Sequence, residues 1–158
     1  MRGTLLCAVT EGDESQEAVA LGAELSERLG LRLVLGHAFE RARGSYRIGA
    51  VEEAETVTTK PDRRSAERRL IDMADQHGVA ERAERRIAVG EPAALLTQIA
   101  AEEAADVIVV GARARGRRGR LESSLADRLE RETPIPVLIA PPRTGSARDD
   151  AATNGGQR

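Results

Sequence analysis

The sequence predicts an α/β domain built as a doubly wound, five-stranded parallel sheet of Rossmann-like type, with helices on both faces. Three observations lead there. Short apolar runs of strand length alternate with stretches in which apolar residues recur at helical spacing. Five such runs are separated by helices, and a connection that returns the chain to the same end of the sheet makes neighbouring strands parallel and crossovers right-handed. A length of 158 residues provides one domain with a real core.

The elements follow in order. Leu5-Leu-Cys-Ala-Val9 is the first strand, and Glu11-Gly-Asp-Glu-Ser15 supplies turn and capping residues. Ala18, Leu21, Gly22, Leu25 and Leu29 repeat at helical spacing until Gly30 stops the helix. In the second strand Leu31, Leu33 and Leu35 alternate with Arg32, Val34 and Gly36, ending near His37, Ala38 and Phe39. Periodicity then fails between Glu40 and Asp62, where glycine, threonine and Pro61 mark a long irregular connection of the kind that often carries function. Ala66, Leu70, Met73 and Ala74 share one face of the next helix, with Gly78 beyond its end. Ala83 begins a third strand that closes at Val89. Gly90-Glu-Pro92 turns the chain into a helix, with proline suited to its first position, and Leu95, Leu96, Ile99 and Ala100 are its core side. The fourth strand is Asp106-Val-Ile-Val-Val-Gly111. A last helix directs Leu125 and Leu129 inward, and Pro134-Ile-Pro-Val-Leu-Ile139 carries the fifth strand. Residues 1–142 form the domain, and residues 143–158, polar and without periodicity, read as a disordered tail.

Composition narrows the function classes. Lys and Arg number 24 against 26 Asp and Glu, a net charge of −2, which offers no global attraction to nucleic acid. Phe39 and Tyr46 are the only aromatics, so single-stranded bases have no stacking platform and nucleic-acid binding is not expected. Cys7 is the single cysteine and lies in an apolar run, which leaves no disulfide within the chain and makes it a small buried hydrophobe. With two histidines in separate elements, neither a zinc set nor a catalytic triad can be assembled from recognised spacings, and the chain is not expected to be an enzyme. The longest apolar stretch near the start, Leu5 to Val9, is too short for a signal-peptide core or a membrane span, so a cytoplasmic protein without a membrane partner is expected.

Chemistry concentrates after strand four. That strand ends at Gly111, where the chain must turn; a loop carries Arg113, Arg115, Arg117, Arg118 and Arg120, with Gly116 and Gly119 among them; and Ser123-Ser124 opens the last helix. A strand, loop and helix start in this order can direct backbone N–H groups and positive charge at a phosphate. Guanidinium groups grip phosphate in bidentate fashion. The same run can equally be a solvated face paired with Glu122, Glu130 and Glu132, and both readings stand open.

With the N-terminal strand and the Val89-Gly-Glu-Pro-Ala-Ala94 turn, this segment resembles the universal stress protein family, from about Thr4 to Pro141. The resemblance implies strand order 3-2-1-4-5, with a switch point between strands one and four, and a regulatory role in the stress response. It also implies an adenine nucleotide, ATP or AMP, at the carboxyl ends of those strands. The positions that correspond to the family's site are Ala8, Val9, Thr10, Gly111, Arg113, Arg115, Ser123 and Ser124. Several letters differ: Thr10 stands where an aspartate meets the adenosine, Ala114 where a second glycine belongs, and Ser123-Ser124 where Gly-Ser is usual. Loss of those glycines implies weak binding, or a dimeric interaction module without nucleotide. The Pro-Val-Leu-Ile pattern of the last strand implies a homodimer joined through Val137, Leu138 and Ile139.

The remaining candidates read as structural. His37, at the end of strand two, reads as a packed residue and His77 as a partner of helix-terminal carbonyls. Asp13, Glu14 and Glu17 read as capping and dipole-compensating acids at a helix start.

Overall fold

The structure, a computed structural model, describes residues 3–40, 62–112 and 124–142. The irregular connection after Glu40, the arginine run with Arg113, Arg115 and Ser123, and the tail of residues 143–158 lie outside the described residues. The elements are β1 (Thr4–Val9), α1 (Glu14–Leu29), β2 (Arg32–Phe39), α2 (Arg63–Gln76), β3 (Ala83–Val89), α3 (Pro92–Glu102), β4 (Val107–Gly111), α4 (Leu125–Glu132) and β5 (Val137–Ala140). The strands form one sheet in the order β3-β2-β1-β4-β5, parallel throughout.

The period of the strands divides the core in two. On one face Leu5, Cys7, Leu33 and Leu35 pack with Ala18 and Val19 of α1 and Leu70 and Met73 of α2. On the other, Leu6, Val34, Ile108 and Val110 pack with Leu96 and Ile99 of α3 and Leu129 of α4. Every residue of β1 is buried, as is β2 from Leu33 onward. The leucine alternation expected in β2 therefore reflects composition rather than a solvent face, since a strand between two neighbours under helices on both sides has no wet side. The strand starts at Arg32 rather than Leu31, and β4 at Val107, because the Asp106 carboxylate accepts from the Thr4 N–H at 2.8 Å and so begins the ladder from its side chain. Leu95 and Leu125, expected inside, are partly buried at the margin; Ala93 and Ala126 hold the inward positions beside them.

Cys7 has no contact with solvent and donates weakly to the Ala18 carbonyl at 3.5 Å. Burial pushes its thiol pKa up to about 12. Gly22 lies against it, and a Cβ there would overlap the Cys7 sulfur.

The ends of α1, α2 and α3 are closed by left-handed residues. Gly30 and Gly78 both sit at φ 65°. At the end of α3 the same position is Ala104, at φ 50°, with Ala105 N–H donating to the Ala100 carbonyl at 2.8 Å. That 6→1 bond marks a Schellman closure made without glycine.

The two sheet edges differ. β3 shows Glu84, Arg85 and Arg86 to solvent. β5 is also a margin, so its apolar pattern does not mean burial: Leu138 is 40% and Ile139 48% exposed.

Candidate functional site

An open parallel sheet takes ligands outside the carboxyl ends of its strands, where the order reverses. Here that point lies between β1 and β4. Their pairing runs from Leu5↔Val107 to Cys7↔Val109 and stops there, while β4 continues beside β5 to Gly111↔Ala140. Where the two strands part, the first turn of α1 moves in. A Cβ on Gly111 would overlap the backbone of Glu14, so Gly111 is needed for close approach.

The β1 half of the site is internally bonded. Ala8 and Val9 are core residues, each 1% exposed. Thr10 Oγ1 donates toward Glu14 Oε1 at 3.0 Å, lies 3.0 Å from Ser15 Oγ, and accepts from the Gly12 N–H at 3.3 Å. The Thr10 N–H donates to Ser15 Oγ at 2.7 Å. Asp13 occupies the N-cap position of α1 without a side-chain bond, Glu14 and Glu17 stand in the first turn as the acids expected there, and the Glu14 side chain folds back onto Thr10.

Two side chains from other elements pin this turn. Arg69 of α2 donates from Nε to the Thr10 carbonyl at 2.7 Å and from Nη2 to the Gly12 carbonyl at 3.1 Å. His37 is fully buried, its Nδ1 lies 2.6 Å from the Val9 carbonyl, and its ring stacks on Phe39 with centroids 5.9 Å apart. A carbonyl only accepts, so Nδ1 carries a proton. Nε2 faces Glu11 Oε1 at 3.1 Å. His77 bonds through Nε2 with the Gln16 side chain at 2.8 Å, and its backbone N–H donates to the Met73 carbonyl at 3.2 Å.

The β4 half is closed in its own way. Ser124 caps α4: its Oγ accepts from the Asp127 N–H at 3.2 Å, while Asp127 Oδ2 accepts from the Ser124 N–H at 3.1 Å. This capping box engages donors that a phosphate at the helix start would use. The starts of α2 and α3 are similar. Asp62 accepts from the Ser65 N–H at 2.7 Å in α2, and Glu91 accepts from Ala93 and Ala94 at 3.1 and 2.8 Å in α3 while pairing with Arg128 of α4. Hydrogen bonds from Ser65 hold Asp62 below the usual aspartate range, and those from Ser124 do so for Asp127. Burial opposes the charge of Glu91, but the amides of Ala94 and Ala93 and the Arg128 guanidinium outweigh it.

A cavity of about 330 Å³ opens on α2, lined among the described residues by Asp62, Arg64, Ser65, Arg68, Arg69 and Asp72; of the expected nucleotide contacts that are described, none lines it. Among those contacts, Thr10 and Gly111 both touch Glu14, Ser124 opens the neighbouring helix, and Arg113, Arg115 and Ser123 lie outside the described residues. Sequence reasoning missed Arg69 and the back-folded Glu14, since both depend on elements meeting in space. It could have found the box, because Ser124 and Asp127 have the spacing of one.

The comparisons agree with this fold. No curated protein matches the chain by sequence. Among solved structures, a universal stress protein in complex with cAMP is 22% identical, with a TM-score of 0.62 over 87% of this chain and 97% of that one. UspA from Lactobacillus plantarum is 16% identical, with a TM-score of 0.63 over 89% of this chain and 99% of that one. A universal stress protein from Archaeoglobus fulgidus in complex with dAMP is 16% identical, with a TM-score of 0.56 over 87% and 96%. At these identities the likeness speaks to fold. The family model described as the universal stress protein family matches residues 1–141, and with the strand order and the glycine-floored switch point the chain belongs to that family.

Proposed function

We propose that this chain is a binding protein of the stress response, not an enzyme, that takes an adenine nucleotide such as ATP or AMP weakly at the carboxyl ends of β1 and β4. The observation that carries this reading is the parting of the two strands above Gly111, where an open sheet takes its ligands. The ligand class comes from the cAMP and dAMP bound by the two similar structures. Weakness follows from the occupied donors of Thr10 and Ser124, which leave Arg113 and Arg115 as the phosphate-gripping groups. A cytoplasmic location goes with the single cysteine, and no described helix is long and apolar enough to cross a membrane.

Calorimetric titration with ATP and AMP tests the site. Changing Arg113 and Arg115 to Ala should weaken binding about ten-fold, as loss of charge-assisted contacts implies. Affinity unchanged by both substitutions would remove the arginine loop from the site.

A second reading, a dimeric interaction module without nucleotide, is favoured by the internal carboxylates at the helix starts. Both readings include a homodimer through β5, supported by the exposure of Leu138 and Ile139 on a strand with one described neighbour. Sedimentation should give twice the chain mass, and Leu138→Arg should give monomer. A wild-type monomer at micromolar concentration would count against the dimer, and a protein purified free of nucleotide that gives no heat with ATP or AMP would favour the second reading.

A further inference from the structure

The end of β2 holds a buried imidazole, and the turn after β1 brings a carboxylate to it. His37 is fully buried, and its Nδ1 donates to the Val9 carbonyl at 2.6 Å. That bond fixes a proton on Nδ1, so in a neutral ring Nε2 is a lone pair. Nε2 is itself buried and, among the described residues, makes no well-aligned hydrogen bond, yet it stands 3.1 Å from Glu11 Oε1. A lone pair and an ionised carboxylate both only accept, so they repel at that distance. One proton settles the contact, whether it sits on the ring as an imidazolium N–H or on the Glu11 carboxyl. The Glu11 side chain is 66% exposed, which leaves it free to swing into water when that proton departs.

We infer that Glu11 and His37 form a proton-operated latch on the Thr10–Gly12 turn, closed in acid and released as pH rises. Linkage gives the direction. The closed contact holds one proton more than a separated neutral imidazole and ionised carboxylate, so falling pH favours closure. Histidine suits this role because its charge ordinarily changes between about pH 5 and 8. The sheet neighbours of His37 are Val9 on β1 and Ile87 on β3, and Phe39 stacks on its ring; none of them carries charge. From α1, Glu14 bonds Thr10 Oγ1, with Asp13 and Glu17 in the same first turn. From α2, Arg69 bonds the carbonyls of Thr10 and Gly12, on either side of Glu11. These acids favour the added proton and Arg69 opposes it, but Glu14 and Arg69 are bonded to the turn and Glu11 alone among these charges meets the ring. The latch thus acts on the wall of the crevice at the end of β1, and it stands whether or not a nucleotide binds there.

Amide hydrogen exchange of Thr10 and Gly12, whose N–H groups bond Ser15 Oγ and Thr10 Oγ1, tests the latch. Exchange is followed between about pH 5 and 8, corrected for the intrinsic rate at each pH, with EDTA present so that no metal ion bridges the pair. Wild-type protection should be about three-fold higher at the acid end, the size expected of an ion pair with one exposed partner. Glu11→Gln supplies an amide N–H that donates to the Nε2 lone pair without an added proton, so its turn should be at least as protected at the alkaline end as at the acid end. Glu11→Ala should show the lower protection throughout. His77, bonded to Gln16, is intact in both variants, so an acid gain that survives in Glu11→Ala would belong to another group and overturn the latch. A flat wild-type profile would overturn it as well, as would a Glu11→Gln profile that falls with pH as the wild type does.

Discussion

Arg32 and Glu14 begin β2 and α1 at opposite ends of the same sheet, and their surroundings differ in kind. At the amino end, Arg32 pairs with both oxygens of Glu84 at 2.9 Å and with Glu103 at 2.8 Å, while Arg86 pairs with the other Glu103 oxygen. Glu103 is closed in, its side chain 5% exposed. Burial opposes its charge, yet the bonds from Arg32 and Arg86 outweigh this and hold it below the usual glutamate range; the Glu84 and Glu103 bonds push Arg32 upward. At the carboxyl end Glu91 also pairs with Arg128, but Glu14 and Asp127 meet a hydroxyl and an amide instead, on Thr10 and Ser124. Charge matched by charge makes a clasp.

The largest expected effect breaks the clasp. Glu103→Ala leaves two guanidinium groups side by side without their shared acid, and removing one partner from a closed-in network costs about 3 kcal/mol, to be read from urea unfolding. The wild type should also lose stability in acid through this residue. A carboxyl lowered in the folded state contributes fully above the ordinary glutamate value of about 4.3, and that contribution drains away as pH falls through the lowered value. Glu103→Ala should therefore show a flatter stability profile over that acid window.

Next comes the floor of the crevice. Gly111→Ala places a methyl against the backbone of Glu14, and overpacking of this kind costs about 1–3 kcal/mol. A variant as stable as the wild type would mean that α1 can lift away from β4, which would make the crevice roomier than it stands here.

Smaller still is the cap of α4. Ser124→Ala removes the hydroxyl that accepts from Asp127 and should cost about 1 kcal/mol. It also frees the Asp127 N–H, so inorganic phosphate should protect this variant against heat at least as well as it protects the wild type.

The smallest effect has the opposite sign. Ala104→Gly relieves a left-handed alanine beside Glu103, and differential calorimetry should show a gain of up to about 1 kcal/mol, reduced by the extra freedom glycine gives the unfolded chain.

The fold was legible because its determinants are local. Helical spacing from Ala18 to Leu29, the stop at Gly30, and the turn before Pro92 each act within a few residues, and their alternation leaves one class of sheet. Burial of β2 on both faces was less visible, since it depends on what flanks the strand. At the site, the sequence located Gly111 and Ser124 but not their reasons. Gly111 answers to Glu14, distant in sequence. The Arg32–Glu103 clasp joins residues separated by |i−j| = 71, a pairing that no periodicity announces.

The sealed Cys7 turns the molecule into its own stopwatch. A thiol with no solvent contact, pushed to about 12 by burial and walled in by Gly22, reacts with a disulfide reagent only when the layer between β1 and α1 comes apart. Because that layer carries the Thr10 and Glu14 turn, whatever binds the closed form should slow the reaction by the factor 1 + [L]/Kd when opening is in rapid equilibrium. The native sequence thus contains a reporter of occupancy at the neighbouring crevice, with no dye or engineered label.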